Sequence, residues 1–269
     1  RLIEEGRVFV NGQKVTRLPV FVNPAKDRIA VDGRPVARKR SRLVYVMVNK
    51  PERVLTAAAD EPGIERTTVL DLVDHPAKAR LFPVGRLDYQ TAGLVLLTND
   101  GELANRLTHP RYEVPKTYSA AVKGILDVGA VMRVQAAVLK ELKKGDRFAG
   151  RVVPPTVTQR IQIEIAGYEE ERTLLRITVR DGQSGNIARM LAAAGVHVRK
   201  LERTAIGPLE LRAVRRGQWR ELERGEIAVL RKAAKKAGQT QRAATKADAS
   251  DAEEVNEDHA AESAEEVEL

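Results

Sequence analysis

The chain has 269 residues and is 43% hydrophobic, so one large or two modest domains with a substantial core are expected. It has no cysteine, which removes disulfides, thiolate nucleophiles and cysteine-based metal sites, and fits a reducing compartment. The net charge is +9, but residues 248–269 hold ten acidic groups and no lysine or arginine, leaving 46 basic against 27 acidic groups, a net +19, on the rest. A body that basic suits a polyanion, with nucleic acid the first candidate.

No apolar run reaches the roughly 18 residues of a membrane span, and no secretory signal pattern is present. A cytoplasmic protein with no membrane association is therefore expected. The chain opens at Arg1 in mid-pattern and without Met, which implies that part of the natural N-terminus is missing. None of His75, His109, His197 and His259 has metal-ligand spacing to another, so packing or surface roles are expected and no metal.

Arg1 to Glu5 reads as the end of a helix, stopped by Gly6. Two hairpins follow. In the first, Val8–Val10 turns at Asn11-Gly12 and returns over Lys14–Thr16; in the second, Ile29–Val31 turns at Asp32-Gly33. Arg7, Lys14, Arg17, Lys26, Arg28 and Arg34 make this unit basic, and such a surface can sit against a phosphate backbone. Val36 to Arg42 (VARKRSR) reads as a basic linker and a domain boundary.

Leu43–Val48 is a strand candidate that must stop near Pro51, which has no N–H to donate. Residues 56–67 read as a loop, Val69–Leu72 as a short apolar segment, and Leu81–Val84 as a lead into a turn. The stretch Pro83 to Pro110 then reads PVGRLDYQTAGLVLLTNDGELANRLTHP. Its turn bears Arg86 and Asp88, its apolar run Gly93–Thr98 is a buried strand, and Leu103–Leu107 follows a helical pattern after Asn99-Asp100-Gly101. A carboxylate on a loop before a rigid strand, beside a guanidinium, is a candidate active-site group. It could equally cap a turn or pair with Arg86 at the surface.

Thr117–Val122 alternates as a strand with Tyr118, Ala120 and Val122 on one face. Asp127 is an expected N-cap for a helix burying Val131, Val134, Val138 and Leu142. Ile161/Ile163/Ile165 and Leu175/Ile177/Val179 mark two half-buried strands that can pair across Tyr168–Glu171. Asn186–Ala194 reads as a helix ending at Gly195, Val196–Lys200 and Ile206–Leu211 as short strands, and Glu226–Lys236 as a last amphipathic helix. From Gly238 onward few large apolar residues remain, so disorder is expected. Strands interleaved with a few helices and no strict βαβ repeat predict an α+β fold. The glycine and lysine patterns of dinucleotide and P-loop sites and the serine-hydrolase elbow are absent.

The GRLD-to-THP block, followed by PKTY at 115–118, resembles the RsuA-type pseudouridine synthases that modify ribosomal RNA, and the similarity runs from about Arg1 to about Leu230. EEGRVFVNGQKV with DRIAVDGRPV resembles the S-four-like RNA-binding domain, here with a truncated first helix. The resemblance implies a small α/β RNA-binding domain over residues 1–40, with Arg7, Lys14 and Arg17 as RNA contacts. It implies a pseudouridine synthase domain with a mixed, mostly antiparallel sheet over 41–232, leaving 233–269 as a basic-then-acidic tail. The expected substrate is a uridine of ribosomal RNA, of the large subunit, and the chain is expected to act as a monomer. Isomerisation adds no atom and changes no oxidation state, so no cofactor is expected.

By the same resemblance Asp88 is the catalytic carboxylate, acting as nucleophile or base. Arg86 and Lys116 would contact phosphate, Tyr118 would stack on the uracil, and Leu191 would line the pocket; read from the residues alone, Tyr118 and Leu191 also suit plain core positions. One departure stands out. The family's basic motif is matched by Gly182-Gln183-Ser184-Gly185-Asn186-Ile187-Ala188-Arg189-Met190, so the cation expected to pair with the catalytic Asp falls on Ala188. Arg189 lies one helical step, about 100°, further round. Either another cation, such as Arg86 or Arg189, serves Asp88, or the chain is an impaired, RNA-binding ribosome-assembly protein on the same scaffold.

Overall fold

The computed structural model describes residues 2–16, 20, 22–23, 26–36, 42–61, 63–148, 161–180 and 187–235. The chain divides into two compact units, residues 1–42 and 43–269.

The first unit is a four-stranded antiparallel sheet of β1 (Val8–Val10), β2 (Gln13–Lys14), β3 (Ile29–Val31) and β4 (Arg34–Pro35), in the order β2-β1-β3-β4. Both hairpins turn on paired residues of positive φ, Asn11 and Gly12 at 50° and 84° and Asp32 and Gly33 at 52° and 74°. That backbone matches the strand twist, which is why these two dipeptides dictate the unit. Residues 2–6 form turns rather than the expected helix. Yet Arg7 N donates to Leu2 O and Gly6 N to Ile3 O, the two bonds that close a helix C-terminus, with Gly6 at φ 68°. The return strand is Gln13–Lys14, shorter than expected, and buried Val15 follows it.

The second unit is built on a nine-stranded mixed sheet. Its strands are β5 (Tyr45–Lys50), β6 (Phe82–Val84), β7 (Ala92–Thr98), β8 (Lys116–Lys123), β9 (Ile161–Glu169), β10 (Arg172–Val179), β11 (Val198–Ile206), β12 (Leu209–Glu210) and β13 (Trp219–Glu221). The main path runs β13-β5-β7-β11-β8-β10-β9, with β6 beside β7 and β12 beside β11. Every described pairing of these strands is antiparallel except β7 with β11. The fold is therefore α+β with a mixed, mostly antiparallel sheet, as the strand pattern implies.

Among the described residues four α-helices cover it: α1 (Gly101–Thr108), α2 (Val128–Phe148), α3 (Ile187–Ala193) and α4 (residues 224–235). One face packs Val46, Val48, Val95, Leu97 and Tyr118 with α2 and α3 residues Val131, Val134, Val138, Met190 and Leu191. The other packs Tyr45, Met47, Leu94 and Leu96 with α1 and α4 residues Leu103, Leu107 and Leu230. Apolar cover on both faces explains why β5 and β7 read as nearly unbroken apolar runs. Asp100 caps α1 by accepting from Leu103 N at 3.1 Å, and Asp127 caps α2 by accepting from Ala130 N at 2.6 Å. Leu142 and the tail beyond 235 lie outside the described side chains and residues.

Two expectations need correction. The two strands expected over Val196–Lys200 and Ile206–Leu211 have other bounds: the first, β11, runs on for nine residues to Ile206 and turns at Gly207 into the second, the two-residue β12. Charged Lys200, Glu202 and Arg203 hide the alternation of β11, but β7 and β8 flank it and bury Arg203 to 2% exposure. β13 was not foreseen; it pairs with β5 at the end of the main path.

The sheet forks at β7. Its first residues, Ala92 and Gly93, pair with Glu202 and Arg203 of β11, whereas Leu96–Thr98 pair with β6. At the split, Arg203 Nε donates to Leu94 O at 2.8 Å. Gly93 has φ 109°, and a Cβ there would lie 2.3 Å from Arg203 O and 2.6 Å from Arg203 N. Gly93→Ala is therefore expected to cost at least about 2 kcal/mol in urea unfolding of the full chain, or to prevent folding. A change within about 0.5 kcal/mol would contradict the close approach.

Candidate active site

The loop 85–91 joins β6 to β7 and so emerges at the fork. It carries Arg86 and Asp88, both exposed, on either side of Leu87, which is 5% exposed in the first core cluster. An apolar residue between two polar ones anchors the turn and sends its neighbours outward.

Asp88 is exposed as a residue, but its carboxyl is partly shielded. Burial pushes it above the ordinary aspartate range, while Arg86, Lys50 and Arg189, in that order, pull it back towards ionisation. Arg86 comes from the same loop, Lys50 from the end of β5 and Arg189 from α3. The extra helical step of Arg189 thus does not put its charge out of reach. At the neighbouring position Ala188 is partly buried against the first core cluster. Residues 181–186, including Gly182 to Asn186, lie outside the described residues.

Lys50 was not singled out from the sequence. It is 0% exposed, and its Nζ donates to Pro51 O at 3.0 Å and Val54 O at 2.8 Å. Burial lowers its ammonium to about 8; Glu52 and Asp88 support the charged form and Arg203 opposes it. Lys50 pairs with Gly93, Gly93 with Arg203, and Arg203 with Tyr118, so these residues form one row across four strands. Among the described residues neither Lys50 nor Arg203 has a carboxylate within ion-pair distance, and the buried Arg203 Nη2 has no hydrogen-bond partner. The sole signal in the sequence was a lysine ending an apolar strand just before Pro51.

The other candidates divide by burial. Tyr118 is 1% exposed and Leu191 is likewise buried, both in the first core cluster. Lys116 is 7% exposed at the start of β8 and already engaged within the protein. In the N-terminal unit Arg7 is not a bare cation: it bonds Asp32 through Nε and Nη2 at 2.8 and 2.6 Å and Glu5 at 2.8 Å. Lys14 is exposed, and Arg17 lies outside the described residues. Among the histidines, His75 lies 3.1 Å from Glu221 and accepts from Ala77 N, and His109 accepts from Arg111 N. Among the described residues no cluster of three potential metal-ligating side chains occurs, and no helix is long and apolar enough to cross a membrane.

This electrostatic balance predicts a titration. Followed by NMR of its carboxyl carbon, Asp88 should titrate above the ordinary aspartate value, and Arg86→Gln, which removes the strongest of the three cations, should raise it further. A raised folded value also means that ionising Asp88 costs stability as pH rises through it, so Asp88→Asn should be neutral to slightly stabilising at pH 7. A midpoint at or below the ordinary value, or a destabilised Asp88→Asn, would contradict this.

The sequence and fold both have relatives. Residues 44–193 match the RNA pseudouridylate synthase family. The chain is 45% identical over 233 residues to an uncharacterized RNA pseudouridine synthase of Aquifex aeolicus, covering 87% of each chain. It is 38% identical over 230 residues to the ribosomal large subunit pseudouridine synthase B of Bacillus subtilis, covering 86% of this chain and 87% of the relative. To the dual-specificity RNA pseudouridine synthase RluF of Escherichia coli the identity is 32%, over 86% of this chain and 71% of the relative. A crystal structure of a pseudouridylate synthase aligns with a TM-score of 0.58 and 26% identity, covering 85% of this chain and 90% of that one. The chain belongs to the RNA pseudouridine synthase family.

Proposed function

We propose that this chain isomerises a uridine of ribosomal RNA to pseudouridine, with large-subunit RNA as the substrate and Asp88 as the catalytic carboxylate. The observation that carries the reading is Asp88 itself: exposed, shielded enough to be tuned, and drawn towards ionisation by Arg86, Lys50 and Arg189. The similarity to a large-subunit enzyme over nearly the whole length supports the substrate.

In the reaction the bond from the ribose C1′ to N1 of uracil breaks. The freed ring turns, a bond forms from C1′ to C5, C5 loses its proton and N1 gains one. Atoms and electrons balance without a cofactor. Asp88 acts on the ribose as nucleophile or as base, and both roles need its ionised form. Three cations from three separate elements hold that form, so loss of the family's basic residue at 188 need not disable the site. Arg86 and Arg189, both exposed, suit contacts with the phosphates around a flipped nucleotide. Tyr118 is the stacking partner of the uracil, an interaction worth about 1–3 kcal/mol. Because its ring is covered, the base must displace that cover to reach it. Leu191 lines the same pocket, and Lys116 is the weakest phosphate contact of the set because it is buried. Arg7, Lys14 and Arg17 belong to an S-four-like RNA-binding unit, where Arg7 must exchange Glu5 or Asp32 for phosphate.

Two outcomes are expected. The full chain should release tritium from ribosomal RNA labelled at uridine C5, and Asp88→Ala should lower the rate by roughly 10⁴-fold or more. RNA affinity should fall steeply with salt for both proteins alike. If neither protein releases tritium while both bind RNA equally, the chain is an RNA-binding assembly factor instead.

A further inference from the structure

The direction in which a side chain leaves the backbone is set by the peptide planes on either side of it. For Asp88 both planes are anchored. Its own carbonyl accepts from Thr91 N at 3.0 Å. The carbonyl before it, Leu87 O, accepts from the hydroxyl of Thr56 at 2.9 Å. The same hydroxyl accepts from Leu87 N at 3.2 Å. One Thr oxygen thus satisfies both backbone groups of the residue immediately before Asp88, using its single proton and one lone pair. No strand partner does this work, because loop 85–91 runs where the sheet forks.

Thr56 is itself held in place. It is 6% exposed, and the preceding Leu55 is bonded on both sides, from Leu55 N to Thr67 O at 2.9 Å and from Val69 N to Leu55 O at 2.7 Å. Upstream, the Lys50 ammonium gathers the Pro51 and Val54 carbonyls, and Arg53, at φ 61°, donates its N–H to Tyr89 O at 2.7 Å. Segment 51–56 therefore grips the catalytic loop at Leu87 and at Tyr89, one residue to either side of Asp88. A buried hydroxyl donating and accepting with good geometry, on a segment fastened from behind, fixes its target far better than an exposed ion pair would.

We propose that Thr56 is a positioning residue for Asp88, its hydroxyl holding the Leu87 peptide groups so that the carboxylate faces the reacting ribose. The inference rests on Asp88 being the catalytic carboxylate. Displacing a reacting group by about 1 Å can cost about 100-fold in rate.

The test uses the full chain and C5-tritiated ribosomal RNA, at a temperature where each variant is folded by circular dichroism. Thr56→Val keeps the shape and removes the hydroxyl; its kcat should fall about 10- to 100-fold with KM and RNA affinity within about twofold. Thr56→Ser restores the hydroxyl and should recover kcat to within about threefold of wild type. A destabilised control in the other core cluster, Leu103→Ala, should keep wild-type kcat while folded, which separates positioning from stability.

The proposal is overturned if Thr56→Val keeps kcat within threefold, if KM rises as much as kcat falls, or if the serine variant does not recover. Should Thr56→Val not fold, Thr56→Ala takes its place. If neither folds, the hydroxyl is a stability element and the proposal also falls. Asp88→Asn tells the two levels apart. If it is inactive while Thr56→Val is unaffected, only the role of Thr56 is lost; if it turns over like wild type, the catalytic reading of Asp88 is lost as well.

Discussion

The close approach of Gly93 to the backbone of Arg203 governs the second unit. β7 can accept β11 on one side only while their chains nearly touch, and only a residue without Cβ permits that. Three residues later, at Leu96, β6 takes over the same side. The sheet opens there, Arg203 bonds the Leu94 carbonyl that the departing strand would otherwise leave, and loop 85–91 rises from the gap. A site at a fork has rigid strands beneath it and no strand above it. That combination suits a carboxylate that must be held still and yet be reachable.

The same region concentrates positive charge, and among the described residues neither Lys50 nor Arg203 has a carboxylate within ion-pair distance. Lys50 and Arg203 lie one on each side of Gly93, and Arg86 and Arg189 reach in from a loop and a helix. Burying cations beside a carboxylate costs desolvation, visible in the lowered ammonium of Lys50 and the raised carboxyl of Asp88. Opposing shifts of this kind mark sites where stability is given up for chemistry. Distributing the cations over three elements also makes the site tolerant of change. An alanine at 188 removes one charge and adds apolar contact to the core, and the neighbouring arginine still acts on Asp88.

Much of this was legible in the sequence wherever local physics decides. Asn11-Gly12 and Asp32-Gly33 dictate their hairpins through backbone φ alone, and Asp127 caps the helix it precedes. The apolar run of β7 and the loop aspartate before it could be read directly, and so could the family to which the GRLD block belongs. What stayed hidden depends on residues distant in sequence. Arg203 looks like a surface residue in a charged stretch until β7 and β8 close over it. Lys50 looks like a strand end meeting solvent until the chain folds Pro51 and Val54 back onto its ammonium. Thr56 sits in an alanine-rich loop, and nothing local announces that its hydroxyl meets Leu87, 31 residues on. Charge at the site was visible, but the order in which cations act on Asp88 is a property of the closed sheet.

The most direct measurement of the central claim is a pseudouridine map of ribosomal RNA from cells lacking this chain, complemented with wild type or with Asp88→Asn. If the Asp88 carboxylate performs the isomerisation, at least one large-subunit position will lose its pseudouridine, and only wild type will restore it. Restoration by Asp88→Asn, or a map unchanged by removing the chain, would contradict it.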